Sequence, residues 1–219
     1  MQNIIIIGIG NQAKVIFNEL IENNKIKILG FLDFKKRENS IILTHKKKKY
    51  KVLNQDLYIK KKIKFIIGIG HNYLREEAYQ DLYKVKKDIN FFSFISKNAF
   101  INKNVKIGKG TVVMPGCIIN SGTIIGDHCI INTRSSIDHD NYFSDFSSCG
   151  PGVISGGNVH VGKRSHIGIG SVIKNAIKIK KDTIIGGKSY INKNCVSLHV
   201  YYGNPIKKIK IRKINQKYL

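Results

Sequence analysis

Arginine, acidic residues, paired cysteines and long apolar stretches are all scarce in this chain, and each scarcity removes a class of protein. Only five of its 38 basic residues are arginine (Arg37, Arg75, Arg134, Arg164 and Arg212). Arginine is the side chain favoured for forked recognition of phosphates and base edges, so a net charge of +24 carried almost wholly by lysine does not read as a nucleic-acid binder. The excess is spread out, at +11 over residues 1–98, +7 over 99–196 and +6 over 197–219. That spread suits a general attraction for small anionic substrates, and the lysine runs 46–49 and 60–62 read as exposed turns or loops. The four cysteines, Cys117, Cys129, Cys149 and Cys195, contain no Cys-x-x-Cys pair, so neither a zinc site nor a disulfide is expected and no metal is assigned. The apolar run 4–7 near the start is far too short for a signal-peptide core or a membrane span and follows no charged leader. A cytoplasmic location without a membrane span is the expectation.

What is present is a repeat. Sixteen consecutive six-residue units run from Ile101 to Val196, opening at Ile101, Ile107, Val113, Ile119, Ile125, Ile131, Ile137, Phe143, Cys149, Ser155, Val161, Ile167, Ile173, Ile179, Ile185 and Ile191. Thirteen openers are Ile or Val, and the fifth slot is Val, Thr, Ser or Cys in all but two units, Asn141 and Ile177 being the exceptions. Such a period signifies a parallel β-helix. Each unit gives one short strand of a prism wall, with its opener in a narrow core and its fifth residue in a tight corner. Three walls make a coil of about 18 residues, stacked at roughly 4.8 Å, so the repeat accounts for a little over five coils. Three cysteines occupy the small fifth slot and the fourth an opener slot. Core packing explains them all, with Cys117, Cys129 and Cys195 assigned to different walls.

About 98 residues precede the repeat. Residues 4–7 read as a buried strand running into Gly8-Ile9-Gly10-Asn11-Gln12-Ala13 and a helix with Ala13, Ile16, Phe17, Leu20 and Ile21 on one face. A second strand, 26–32, ends at Asp33. The pattern G-x-G-x-x-A with a later acid is the dinucleotide fingerprint. Only one further βα step follows, from Phe65 through Gly70, His71 and Asn72 into a helix carrying Leu74, Ala78 and Leu82. A last strand, 91–95, leads into the repeat. This half of a doubly wound sheet has room for one nucleotide and too little chain for a complete nicotinamide-binding domain.

The repeat breaks its own rule in one place. Phe143, Cys149 and Ser155 are successive non-aliphatic openers, Asn141 is a polar fifth slot, and His139 stands just upstream between Asp138 and Asp140. A local violation around a histidine flanked by carboxylates marks a candidate site. Alternation along a strand puts both acids on the side opposite His139 unless the backbone turns there. The residues alone therefore leave the imidazole's partner open between Asp138 and Asp140. Counting one coil onward from His139 gives Gly157, which should lie directly above it and leave space beside the ring.

The segment 131–140, with Asn132, His139 and Asp140, together with Gly152, Gly156-Gly157-Asn158-Val159, Val161-Gly162 and the closing Gly203-Asn204-Pro205-Ile206-Lys207, resembles the hexapeptide acyltransferases that acetylate bacterial sugars. It is most similar to the subgroup joining a small nucleotide-sugar domain to a left-handed β-helix, which includes bacillosamine-pathway and perosamine N-acetyltransferases and sialic-acid O-acetyltransferases. The resemblance implies an α/β half-Rossmann domain over 1–98, an all-β left-handed parallel β-helix over 99–200 and a basic tail over 201–219.

It further implies transfer from acetyl-CoA to the amine of a UDP- or GDP-linked 4-amino-4,6-dideoxy sugar in bacterial surface glycan or glycoprotein synthesis. His139 would be the general base, Asp140 its partner and the Gly157 amide a donor to the thioester oxygen. Gly8, Gly10, Gln12, Asp33, Gly70, His71 and Asn72, with Asn132, would bind the sugar nucleotide. Ser148, Gly157, Gly168, Gly170, Gly186, Gly187 and Lys207 would line the coenzyme A groove between subunits of a homotrimer. Two positions depart from the subgroup, Gln12 standing at a common first-loop histidine and Ser148 at a second active-site histidine, so the sugar's identity does not follow. An O-acetyltransferase acting on a sialic- or legionaminic-type nonulosonic acid, or a non-catalytic β-helix protein, remain as alternatives.

Overall fold

The structure, a computed structural model, describes residues 1–33, 39–54, 58 and 63–218, so the lysine run 60–62 lies outside the described residues. The chain divides into two units, Met1–Phe92 and Ser93–Leu219. No helix among the described residues is long and apolar enough to cross a membrane.

The first unit follows the expected βαβ logic. Strands β1 (Gln2–Ile7), β2 (Ile26–Leu32), β5 (Lys64–Ile67) and β6 (Asn90–Phe91) form a parallel sheet in the order β2-β1-β5-β6. Helix α1 (Asn11–Ile21) buries Ala13, Ile16, Phe17 and Leu20. Helix α2 (Asn72–Val85) buries Asn72, Arg75, Ala78 and Leu82. Ile4, Ile5, Ile6 and Ile7 are at most 1% exposed, as a strand covered on both faces requires. Between β2 and β5 an antiparallel hairpin, β3 (Ile41–His45) and β4 (Lys48–Lys51), turns at Lys46 and Lys47, both at positive φ. The run 46–49 is thus half turn and half strand. Its Lys48 ammonium lies 4.7 Å from the centre of the Tyr50 ring.

The second unit is a parallel β-solenoid in which every wall pairs residues one coil apart. Wall one stacks Phe94–Ile95, Val112–Val113, Ile130–Ile131, Ser148–Cys149, His166–Ile167 and Ile184–Ile185. Wall two stacks Phe100–Ile101, Ile118–Ile119, Ser136–Ile137, Ile154–Ser155, Val172–Ile173 and Tyr190–Ile191. Wall three runs from Lys106–Ile107 to Lys178–Ile179. The segment read as one strand, 91–95, is split: Phe91 pairs with Phe65 in the first unit, whereas Phe94–Ile95 is the first rung of wall one.

The periodic apolar openers do not by themselves turn the corners. From Gly110 to Lys188 the fourth residue of every unit has positive φ, whether it is glycine, His128, Arg134, Asp140, Phe146, Asn158, Arg164, Ala176, Asp182 or Lys188. A non-glycine residue pays roughly 1–2 kcal/mol for that conformation. The return is a hydrogen bond between coils, because the left-handed turn delivers the fourth-slot N–H to the third-slot carbonyl of the preceding coil. Asp140 donates to Ser121 at 3.0 Å, Asn158 to His139 at 3.1 Å and Ala176 to Gly157 at 3.0 Å.

The prism is narrow. Burial pushes the Cys149 thiol up to about 12, and the neighbouring Cys117 and Cys129 sulfurs push it in the same direction. All four cysteines are buried free thiols.

The last residues are not a free tail. His199–Tyr202 extends wall one, and Lys207–Ile211 pairs antiparallel with it as the sheet's edge. Beyond it, Arg212 is 5% exposed. Its guanidinium donates to the carbonyls of Asp182 at 3.2 Å, Ile214 at 3.1 Å and Gln216 at 2.8 Å. Asp182, the only acid after Asp145, accepts two 2.7 Å bonds from Arg164. The Tyr218 ring lies 4.9 Å from His166, centre to centre. Arg212→Ala is expected to leave the solenoid folded and release the segment after 212. Limited trypsin digestion should then cut at Lys213 and Lys217 well before the coils, and unchanged protection of those sites would remove Arg212 as the anchor.

Candidate active site

The rule-breaking corner, between walls two and three, is a hydrogen-bonded turn built around His139. Its backbone does reverse, with Asp140 at φ 55°, and this settles which acid meets the imidazole. His139 Nδ1 and Asp140 Oδ2 lie 2.8 Å apart. Asp138 instead shapes the backbone, its Oδ1 accepting from the His139 N–H at 2.9 Å and from Asn120 Nδ2 at 3.2 Å. The odd fifth slot and the odd opener are part of the same support. Asn141, 1% exposed, donates to the Asp138 carbonyl at 2.7 Å, to Ser155 Oγ at 3.2 Å and to the Gly156 carbonyl at 3.0 Å. It also accepts from the Val159 N–H at 2.7 Å. Ser155 Oγ in turn accepts from the Asp138 N–H at 3.3 Å. Polar atoms in the core here hold the loop that carries the histidine, each satisfied as burial demands.

Gly157 sits where one-coil stacking places it. A side chain there would bring Cβ to 2.5 Å from both Cε1 and Nε2 of His139, so only glycine leaves the imidazole in place. Its carbonyl accepts from Ala176, while its N–H makes no hydrogen bond within the described residues. One coil below, a Cβ at Gly122 would collide with Asp140 Oδ1.

The hydrogen bond to Asp140, reinforced by the charge of Asp138, holds the His139 imidazole above its ordinary value, against a smaller opposing effect of desolvation. His139 and Asp140 are both more than half exposed. The imidazolium–carboxylate pair adds its stability in full below the unfolded pKa and loses it as pH rises through the higher folded value. Neutral imidazole, the form that can accept a proton, accordingly prevails only above that raised value.

The other candidates fall into separate groups. Asn132 lies at the preceding corner, between walls one and two. Its Oδ1 accepts from the Thr133 N–H at 2.8 Å, so its carboxamide oxygen braces its own turn. Gly168 and Gly186 stack above that corner with Gly170 and Gly187. Coil stacking alone explains two of these glycines, since a Cβ at Gly168 would approach Gly187 N to 2.5 Å and one at Gly186 would meet the Tyr202 ring. Ser148 is buried on wall one, 2.9 Å from His166 Nδ1, and Lys207 is exposed on the edge strand.

In the first unit, Gly8 turns at φ 94°. Its missing Cβ would lie 2.8 Å from Ile69 Cγ1, so the loops after β1 and β5 pack together. Gly10 precedes α1 with open space around it. Gln12 Nε2 is buried without a hydrogen-bond partner among the described residues. Asp33 follows β2 and is half-buried. His71 caps α2 by accepting from the Leu74 N–H at 3.4 Å. Asn72 is fully buried, its Oδ1 accepting from Arg75 at 2.7 Å. Sequence reasoning overlooked Arg75 because a charged helix residue reads as solvent-facing. The available signal was its position on the buried stripe of Asn72, Ala78 and Leu82.

Comparison with known proteins matches two family models, the PglD N-terminal domain over residues 3–82 and the bacterial transferase hexapeptide (six repeats) over 104–139. PerB from Caulobacter crescentus, solved with CoA and GDP-perosamine, is 25% identical, covers 96% of this chain and 98% of its own, and superposes with a TM-score of 0.84. The chain is thus similar, over nearly its whole length, to solved sugar N-acetyltransferases. The same fold is seen in the acetyltransferase domain of PglB from Neisseria gonorrhoeae in complex with acetyl coenzyme A (22% identity, 95% and 99% coverage, TM-score 0.81). WeeI from Acinetobacter baumannii shares it as well (24% identity, 95% and 100% coverage, TM-score 0.80). Among the described residues the chain has no group of three or more His, Cys, Asp or Glu placed to hold a metal ion.

Asp140→Asn should lower the His139 pKa toward the ordinary 6.5 by weakening the hydrogen bond that raises it. Titration of the imidazole resonances by NMR reads this directly. An unchanged midpoint would mean that Asp140 does not set the histidine's basicity.

Proposed function

We propose that the chain transfers an acetyl group from acetyl-CoA to the amine of a UDP- or GDP-linked 4-amino-4,6-dideoxy sugar used in bacterial surface glycans or glycoproteins. The observation that carries this reading is the His139–Asp140 pair beneath the side-chain-free Gly157. His139 takes the proton from the amine as its nitrogen attacks the thioester carbonyl, and Asp140 steadies the imidazolium that forms. The unshared Gly157 N–H donates to the developing oxyanion. As the C–S bond breaks, the proton passes from His139 to the departing thiolate, leaving an amide and free coenzyme A. The N-terminal unit holds the nucleotide and the solenoid carries the transfer.

The coenzyme suits the edge of wall two that bears Gly150, Gly168 and Gly186. Small residues leave that edge flat, and after Asp145 the chain has 14 basic residues against the single acid Asp182, a balance favourable to a polyanion. The His139 corner lies on the opposite edge of the same wall. A complete site therefore pairs one copy's histidine corner with another copy's glycine corner, which is the arrangement of a homotrimer. Phe100, Ile118, Ile154 and Val172, exposed along wall two at 60%, 43%, 49% and 40%, give such an interface its apolar stripe.

His139→Ala should lower turnover about 100-fold or more with the thermal midpoint nearly unchanged, since the side chain is more than half exposed. A thiol-release assay with circular dichroism measures both, and wild-type turnover would remove His139 as the base. With acetyl-CoA held constant, UDP- and GDP-linked 4-amino sugars should react well and a free nonulosonic acid poorly, because binding at the nucleotide positions the amine. Asp33→Ala should raise the acceptor's KM and spare that of acetyl-CoA. Preference for the free acid, with Asp33→Ala silent, would replace this reading with an O-acetyltransferase.

A further inference from the structure

Arg75 is among the largest fully buried side chains of the protein, 1% exposed inside the first unit, and the acetyl-transfer chemistry makes no use of it. Burying a guanidinium is costly unless its donors are met. One nitrogen, Nη1, donates to two consecutive carbonyls, Ile69 and Gly70, both at 2.9 Å. Nη2 donates to Asn72 Oδ1 at 2.7 Å. These three bonds all go to the backbone and first helical residue of a single loop, the one joining β5 to α2.

The geometry of that grip has a consequence. In a trans peptide the C=O and the following N–H point in opposite directions, and neither peptide here is cis. Drawing the Ile69 and Gly70 oxygens onto one buried nitrogen turns the N–H groups of Gly70 and His71 away from it, where Ile69 and Gly70 are partly exposed. Successive amides held on one side form the concavity that receives anions. The parallel sheet order β2-β1-β5-β6 puts the topological switch point, where the strand order reverses, between β1 and β5, and open α/β sheets bind ligands there at the carboxyl ends of their strands. The loop after β1 packs directly on this one: a Cβ on Gly8 would lie 2.8 Å from Ile69 Cγ1, and one on Gly68 would lie 2.7 Å from Ala13 Cα. Fixing residues 69–72 therefore fixes the approach of Gly8 and of the α1 N-terminus.

We propose that Arg75 is a positioning residue for the acceptor's nucleotide, clamping the β5–α2 loop from beneath so that the Gly70 and His71 amides face a phosphate-bearing ligand. This rests on the nucleotide-sugar reading above and adds to it a residue that touches no ligand.

The test uses the full chain and three variants. Calorimetry with UDP and with GDP comes first. Arg75→Met keeps volume but removes every donor, and should weaken nucleotide binding roughly tenfold or more, about the worth of one or two hydrogen bonds to a charged group. It should raise the KM for the sugar nucleotide similarly while leaving the KM for acetyl-CoA and the saturated turnover near wild type. Arg75→Lys, able to reach the two carbonyls, should recover most of the loss. Glu77→Gln, on the exposed side of α2, should do nothing. Hydrogen exchange of the wild-type protein supplies a readout independent of folding in the variants, with peptides covering 68–76 expected to exchange more slowly when UDP or GDP is bound. Wild-type binding together with equal binding by Arg75→Met, or no slowing over 68–76, overturns the clamp alone. Failure of the wild-type protein to bind either nucleotide overturns both the clamp and the nucleotide-sugar reading.

Discussion

The inter-coil hydrogen bond from a fourth-slot N–H to the third-slot carbonyl of the coil below is the interaction on which the solenoid depends. Apolar openers make a core, but a column of isoleucines has no reason to bend every six residues. The left-handed turn supplies the bend, and it persists through residues as unfavourable there as Phe146 and Ala176 because each turn returns a bond to the coil before it. Strain at the nine corners of fourteen that lack glycine is tolerated because each of those nine donates its N–H to the coil before it.

The same bend makes the chemistry available. Along an extended strand, neighbouring side chains diverge to opposite faces, and His139 could not meet Asp140. At a left-handed corner they converge within 2.8 Å. The site is thus an ordinary corner of the repeat whose third and fourth positions happen to be histidine and aspartate. The exceptional residues are the ones underneath it, Asn141 and Ser155, which exchange apolar packing for hydrogen bonds that hold the turn.

Much of this was legible in the chain because the repeat makes exceptions visible. Sixteen units predicted the walls, the one-coil register placed Gly157 over His139, and the run of failed openers singled out the corner where His139 meets Asp140. What escaped notice lacked such a reference. The fourth-slot turn was masked because glycine, aspartate and asparagine share that position with histidine, arginine and phenylalanine. Arg75 was hidden by its charge, although its helical spacing matches the buried face. The docking of Arg212 onto Asp182 joins the repeat to a residue beyond its end, and only tertiary contact reveals it.

The register also sets a grammar for length. Wall partners such as Ile119 and Ile137 are 18 residues apart, three units to a circuit, so an insertion or deletion of three units adds or removes one storey and leaves all other residues on their walls. Loss of a single unit would preserve every opener and every corner yet rotate all that follows by a third of a circuit. Such a change between His139 and Gly157 would keep the hydrophobic pattern intact while carrying the glycine to another corner. Variation in the length of this solenoid is therefore quantised by function more coarsely than by folding.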